Sequence, residues 1–167
     1  FQIRVNERKA LPLPKRALDQ KRDQYMANLL LDDLEEKRAG NPVKLLALTE
    51  VDLGTIVLSY VFGASRTGGK IALVSFHRLR PEFYNLPPCP ELLRQRAIKT
   101  TFHELGHLLG LKHCPERDCV MHRSGTILEL DLTGENYCKT CQEQFQSFIE
   151  EEKNKKGVLR QKSLGGS

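Results

Sequence analysis

One eleven-residue segment constrains this chain more than any other feature, because it follows the pattern H-E-x-x-H-x-x-G-x-x-H from His103 to His113. On a helix, residues at i and i+4 lie about 5–6 Å apart on one face, so His103 and His107 can bind one metal ion. Gly110 permits a sharp turn after the helix, since glycine tolerates positive φ, and the turn can return His113 to the same ion. Chance gives this pattern in on the order of one chain in 10⁵.

Three histidine ligands predict a catalytic zinc site, because they leave the fourth position of the metal open for water. Zinc lowers the pKa of its water toward ~7 and polarises a substrate carbonyl. Glu104 is next to His103 and is therefore rotated by about 100° around the helix, toward the water rather than the metal. We predict that it is the general base and later donates the proton to the leaving amine. The alternative is a pair of ordinary histidines on an amphipathic helix.

Four cysteines directly follow the histidines and predict a second zinc site. They are Cys114, Cys119, Cys138 and Cys141, with the spacing C-x4-C, 18 residues, C-x2-C. This is close to the spacing of four-cysteine zinc sites, which are closed to water and structural. Such a site would hold the irregular segment that follows His113. Two disulfides or unlinked buried thiols are the alternatives, and Cys89, which has no partner by spacing, is predicted to be a buried thiol.

Strands and helices alternate along the 167 residues, which predicts an α/β domain with a mixed, partly parallel sheet. Apolar or alternating runs predict strands at 1–5, 43–49, 56–62 and 70–79. Helical spacing predicts helices from Leu18 to a stop at 40–42, from Pro90 to Leu109, and from Lys139 to about Glu152. We expect one catalytic domain over 1–155, with the four-cysteine site embedded at 103–141, and a flexible tail over 156–167. No apolar run is long enough for a transmembrane helix.

Two of these helices have apolar positions that predict their buried faces. In the helix that carries the histidine motif, these positions are Ile98, Phe102, Leu105 and Leu109. In the last helix they are Phe145, Phe148 and Ile149.

The histidine motif, Met121 and the four cysteines together resemble the archaemetzincins, metallopeptidases similar to the metzincins. Metzincins combine the extended histidine motif with a Met-turn. Met121, eight residues beyond His113, resembles the Met-turn residue, which forms a hydrophobic floor under the metal. Ordinary core packing is the alternative for Met121. Arg123 stands where some metzincins have a tyrosine ligand, so that variant is not expected. The segments at 11–14, 51–53 and 61–63 extend the resemblance over most of the chain.

The resemblance implies a zincin-like fold, in which a twisted mixed sheet, mostly parallel with one antiparallel edge strand, packs with helices that include the active-site helix. It also implies two zinc ions per chain, one catalytic and one structural, and a peptide or protein substrate. From its place before the active-site helix, the segment 70–79 is our candidate for the edge strand, which can bind an extended peptide by backbone pairing. An ordinary buried strand is the alternative. The resemblance places the specificity pocket in the segment 122–137.

We therefore predict a zinc-dependent metallopeptidase. One alternative is a zinc-binding protein with little or no turnover, and another is a basic nucleic-acid-binding module built on the four cysteines, because the net charge is +5. Five acidic residues in the segment spanned by the cysteines would repel phosphates, so nucleic acid is not an expected partner. They are Glu116, Asp118, Glu129, Asp131 and Glu135.

Clustered cysteines in a chain that needs no covalent staples favour a reducing compartment, so we expect a cytoplasmic location. We also expect a monomer and no membrane partner. His77 and His122 are expected to be ordinary histidines. Tyr137 is expected to lie outside the cleft.

Overall fold

The computed structural model describes residues 5–38 and 44–164, with side chains as far as residue 151. The strands and α-helices are β1 Leu18–Asp19, β2 Gln24–Met26, α1 Ala27–Arg38, β3 Leu45–Thr49, β4 Leu53–Gly54, β5 Gly63–Ser65, β6 Ile71–Ser75, α2 Pro90–Leu108, α3 Ile127–Leu132 and α4 Lys139–Leu164. All six strands precede α2 in this part of the chain, and α1 lies between β2 and β3. Short 3-10 helices lie at Lys15–Ala17, His77–Leu79 and Pro81–Tyr84. No described helix combines the length and apolarity that crossing a bilayer requires.

The strands form two small mixed sheets, and each sheet contains one parallel and one antiparallel pair. In the first, of order β1-β2-β4, β2 is antiparallel to β1 and parallel to β4. In the second, of order β3-β6-β5, β6 is parallel to β3 and antiparallel to β5. The predicted α/β class with mixed pairing is confirmed.

The core lies on both sides of β6, whose five residues are all buried. Ile71 and Leu73 pack against α1 and β4 in one cluster, while Val74 packs with Leu79 and Leu130 of α3 in another. Successive side chains of a strand point to opposite faces, so one buried strand supplies both clusters. The uninterrupted apolar run of β6 is typical of a strand covered on both faces.

The prediction that 70–79 forms the antiparallel edge strand is wrong. The strand covers only Ile71–Ser75 and is the central strand of its sheet, and His77–Leu79 is a 3-10 helix. The antiparallel edge strand of this second sheet is β5, Gly63–Ser65. Its three small residues are not strong β-formers, so its composition did not distinguish it from the turn that follows.

The predicted strand at 56–62 is also wrong, because this segment is a loop with successive bends. The guanidinium of Arg22 donates hydrogen bonds to the carbonyls of Thr55 (2.9 Å), Leu58 (3.1 Å) and Ser59. These carbonyls therefore accept from an arginine side chain, whereas the carbonyls of a strand would accept from the backbone amides of a neighbouring strand. Ile56 and Val57 are 84% and 89% exposed.

The helix boundaries differ from the predictions at several points. Helix α1 begins only at Ala27, because Leu18, Tyr25 and Met26 lie in β1 and β2. The predicted helix stop at 40–42 and nearly all of the predicted strand at 1–5 lie outside the described residues. Helix α4 continues to Leu164, twelve residues beyond the predicted end.

Candidate metal centres

Helix α2 positions the first cluster of candidate ligands, and it begins at Pro90, as predicted. Its buried face is polar, with Arg96, Thr100 and Glu104 spaced one turn apart. The predicted apolar stripe is therefore wrong: Phe102 is 43% exposed, and the other three positions are only half-buried. The guanidinium of Arg96 is satisfied by both carboxylate oxygens of Asp131, at 2.7 and 2.6 Å. Asp131 offsets the cost of burying the charge of Arg96. The sequence around Arg96 does not reveal this partner, because Asp131 lies 35 residues away.

The end of α2 turns sharply at Gly110, whose φ is +97°. The amide of Gly110 donates to the carbonyl of His107 (3.0 Å), and the amide of Leu111 donates to that of Gly106 (2.9 Å). This pair of bonds is the Schellman motif, and it requires a residue that accepts positive φ. The turn brings His113 back beside α2, so that one ring nitrogen from each of His103, His107 and His113 lies within 4.8 Å of the others.

Backbone carbonyls orient two of these rings. Nδ1 of His103 lies 2.8 Å from the Val120 carbonyl oxygen, and Nδ1 of His107 lies 2.8 Å from that of Leu111. A carbonyl only accepts, so each Nδ1 carries the proton and each Nε2 keeps a lone pair. The two Nε2 atoms are 3.1 Å apart. Carbonyl-oriented imidazoles with converging lone pairs are the arrangement that zinc requires of histidine ligands.

Burial favours the neutral forms of His103 and His113. It lowers the pKa of His103 to about 4, although the hydrogen bond with Val120 acts in the opposite direction. Burial also lowers the pKa of His113, which neighbouring His107 and Arg123 depress further. Neutral imidazole is the form that binds a metal.

Glu104 lies beside this cluster, on the buried face of α2, with 6% of its surface exposed. Burial raises the pKa of its carboxyl to about 7, against the opposing effect of a hydrogen bond from Ser65. The distance between Ser65 Oγ and Glu104 Oε2 is 2.5 Å. The carboxyl group also lies against Gly63, where an added Cβ would come within 2.8 Å of Oε1. Glu104 is thus packed against the edge strand β5.

Met121 is completely buried beneath the same helix. A Cβ added to Gly106 would lie 2.3 Å from Met121 Sδ, so the sulfur touches the helical turn that carries the histidines. The Met121 carbonyl accepts a 2.9 Å hydrogen bond from the amide of Cys114. Its placement fits the hydrophobic floor that the resemblance to the metzincins implies.

The four cysteines of the second predicted site converge in the same way, with all four sulfur atoms within 4.8 Å of one another. All are free thiols, and Cys114 Sγ lies 3.7 Å from Cys138 Sγ. The sulfur of Cys119 accepts hydrogen bonds from the amides of Met121 (3.4 Å) and Cys138 (3.3 Å). A hydrogen bond from the amide of Cys141 lowers the pKa of Cys138. Four sulfur donors with amide support fit a closed, structural zinc site.

Other singled-out residues lie outside both donor clusters. His77 packs edge-on against Phe83, with ring centroids 5.2 Å apart. The hydroxyl of Tyr137 donates to the carbonyl of Phe102 at 2.7 Å. Cys89 is exposed and precedes Pro90 as the N-cap of α2, so the predicted buried thiol is wrong. Ser65 could not be predicted from the sequence, since a lone serine in a Gly-Ala-Ser segment has no distinguishing pattern.

Known proteins are similar to this chain in both sequence and fold. A sequence model of peptidase family M54 matches residues 2–147. Archaemetzincin from Pyrococcus furiosus is 44% identical over 126 residues, which cover 75% of this chain and 66% of that protein, slightly under two thirds of its length. Archaemetzincin from Methanocaldococcus jannaschii is 41% identical over 136 residues, which cover 81% of this chain and 74% of that protein.

Two crystal structures are similar to most of this chain. Archaemetzincin from Methanopyrus kandleri has a TM-score of 0.74 and 42% identity, covering 83% of this chain and 73% of its own. A zinc-dependent peptidase from Methanocorpusculum labreanum has a TM-score of 0.71 and 30% identity, covering 80% of both chains. The fold and the two donor clusters define a class of protein, the zinc metallopeptidases. Within that class the chain belongs to peptidase family M54, as its resemblance to the archaemetzincins predicted.

Proposed function

We propose that this chain hydrolyses peptide bonds, with one zinc ion held by His103, His107 and His113 and with Glu104 as the general base. The observation that carries the proposal is the convergence of the three imidazoles beside a buried carboxyl group on the same helix. When bound, zinc supplies the Lewis acidity that makes a water molecule acidic and polarises the scissile carbonyl. Three protein ligands leave room for that water.

Glu104 moves the proton in this reaction. Its carboxylate takes a proton from the attacking water, whose oxygen forms a bond to the carbonyl carbon. The same carboxyl then gives the proton to the amine nitrogen as the C–N bond breaks. Burial alone raises the pKa of Glu104 to about 7, and the charge of a zinc ion bound by the adjacent histidines would lower it. With zinc in place Glu104 would therefore be a carboxylate, the form that accepts the proton from water.

Cys114, Cys119, Cys138 and Cys141 would hold a second, structural zinc ion, giving two ions per chain. Their thiolates must remain reduced to bind metal, which favours a reducing, cytoplasmic environment. The adjacency of His113 and Cys114 in the chain means that the structural site would also fix the third catalytic ligand.

The substrate would be an extended peptide or protein segment that binds along β5. This strand pairs with β6 on one side and is the last strand of its sheet, so its other edge can accept backbone hydrogen bonds. Glu104 packs against the same strand, which would place a bound peptide beside the general base.

Metal content and peptide cleavage together test the proposal. Purified wild-type chain should contain about two zinc ions, and the His103→Ala/His107→Ala variant about one, as expected for separate sites. Glu104→Gln should keep both ions and lose about 10²–10⁴-fold in cleavage of a peptide library followed by mass spectrometry. One zinc ion unchanged by the histidine substitutions would mean that the histidines bind no metal. Full zinc occupancy without cleavage would favour the zinc-binding protein with little turnover.

A further inference from the structure

We propose that Ser65 is a positioning residue for Glu104, and that Gly63 provides the space in which Ser65 holds the carboxylate. This inference rests on the proposed function, because it concerns the orientation of the general base. In addition to pairing its backbone with the substrate, β5 would hold the carboxylate of the general base.

The hydrogen bond between the two residues carries the proposal. Ser65 Oγ donates to Glu104 Oε2 at 2.5 Å. Within the described part of the chain, no other side chain donates to this carboxylate, and Glu104 is only 6% exposed. The terminal torsion of a glutamate is broad and easily rotated, so a single strong hydrogen bond can fix it.

Gly63 explains how the carboxylate comes so close to the strand. A Cβ at position 63 would lie 2.8 Å from both Cγ and Oε1 of Glu104, and 3.0 Å from the carbonyl oxygen of Leu73. Residues 63 and 65 are two apart on one strand, so both face the same side of the sheet, toward α2. Any larger residue at position 63 would displace the carboxyl group.

The two contacts distinguish the oxygens of Glu104. Oε2 accepts the hydrogen bond from the hydroxyl of Ser65, while Oε1 lies where a side chain at position 63 would otherwise be. Among the described residues Oε1 has no side-chain donor, so we assign it the proton from the attacking water. Because a peptide paired with β5 is aligned by the same strand, β5 fixes both the scissile bond and the base.

Two substitutions of Ser65, one that removes the hydroxyl and one that keeps it, test this role. Ser65→Ala should lower kcat by about 10–100-fold and leave KM and zinc content nearly unchanged, because misorientation of a reacting group costs rate rather than binding. Ser65→Thr keeps a hydroxyl and should recover most of the rate. Ser75→Ala is the control, since its hydroxyl also donates a short hydrogen bond, at 2.6 Å to the Val51 carbonyl, but not to Glu104.

A melting experiment tests the contact without any turnover. Ser65→Ala should lower the Tm by about 2–4 °C in the wild-type background, and by clearly less in a Glu104→Ala background, because the partner is already absent. Equal losses of Tm in both backgrounds would overturn the proposal. A wild-type kcat for Ser65→Ala would also overturn the proposal. A Ser65→Thr variant as slow as Ser65→Ala would do the same. If zinc-loaded wild type cleaves no peptide, the proposed function fails, and the melting cycle alone decides whether Ser65 holds Glu104.

Discussion

Gly106 lies directly on the sulfur atom of Met121, and a Cβ at position 106 would come within 2.3 Å of Met121 Sδ. Position 106 falls between His103 and His107 on α2, so the buried methionine supports the turn of helix that carries two of the ligands. This close approach is possible only because glycine has no side chain. It gives the glycine in the H-E-x-x-H segment a physical reason that the pattern alone does not supply.

We expect Gly106→Ala to destabilise the chain and to weaken zinc binding by the histidines. Overpacking a buried contact costs about 1–3 kcal/mol, which outweighs the gain of about 1 kcal/mol from better helix propensity. Urea unfolding and zinc titration would measure both effects. Gly125→Ala is the control, because its nearest neighbour would be a glutamate side chain at 3.4 Å. Similar losses for the two variants would contradict the role of the Gly106–Met121 contact.

Removal of metal from the four cysteines should loosen residues 112–141 and leave the rest folded. This segment has little regular structure besides the six-residue helix α3, so cross-linking by a metal would contribute much of its order. Limited proteolysis before and after strong chelation would measure the change. The His103→Ala/His107→Ala variant, which lacks the catalytic ligands, should retain protection before chelation. Equal protection of the segment in both states of the wild type would contradict the prediction.

The ion pair between Asp52 and Arg78 should make stability depend on acid pH. Arg78 Nε and Nη2 donate to the two Asp52 oxygens at 2.7 Å each, and Gln24 donates at 2.8 Å. Burial alone would raise the pKa of Asp52, but these hydrogen bonds and the charge of Arg78 hold it below its usual value. A lowered folded pKa contributes stability above the unfolded pKa of about 3.9, and this stability is lost as pH falls through the folded pKa.

Asp52→Asn should therefore cost about 1.5–3 kcal/mol near neutral pH, and the difference from wild type should shrink as pH falls below about 4. Urea midpoints at a neutral and an acid pH would show this. The comparison is Glu50→Gln, which breaks the more exposed Arg80–Glu50 pair and should cost at most about 1 kcal/mol. A pH-independent loss for Asp52→Asn would show that the ion pair is not its cause.

Helix α3 should depend on its N-cap. The Thr126 hydroxyl accepts from the Glu129 amide at 3.3 Å, and Glu129 Oε2 accepts from the Thr126 amide at 3.0 Å. This capping box matters because the helix has only six residues. Thr126→Ala should cost about 1 kcal/mol in a thermal melt without loss of zinc. Thr140→Ala, an exposed position in α4, should cost nothing measurable.

The parts of the site that the sequence predicted are local in the chain. His103 and His107 are one helical turn apart, and Gly110 is needed where the helix ends, so spacing alone predicted their geometry. The four cysteines were found in the same way, because pairs at short spacing belong to turns that bring two sulfur atoms together.

The parts that the sequence did not predict depend on contacts between distant segments. The loop at 55–59 lacks a strand partner because Arg22, more than thirty residues earlier, occupies its carbonyls. The buried face of α2 is polar because Asp131 neutralises Arg96. Gly63 and Ser65 of β5 are small residues, and both contact Glu104 of the helix opposite. In each case a residue's environment is set by a partner that periodicity cannot identify.

The adjacency of His113 and Cys114 has a redox consequence. Cys114 Sγ and Cys138 Sγ are 3.7 Å apart as free thiols, and a disulfide joins sulfur atoms at about 2.05 Å. An oxidant that linked them would remove two of four sulfur donors and draw the backbone next to His113 toward Cys138. Peroxide would thus displace His113 and inactivate the histidine site without reacting with any histidine. A thiol reductant with fresh zinc would restore the site.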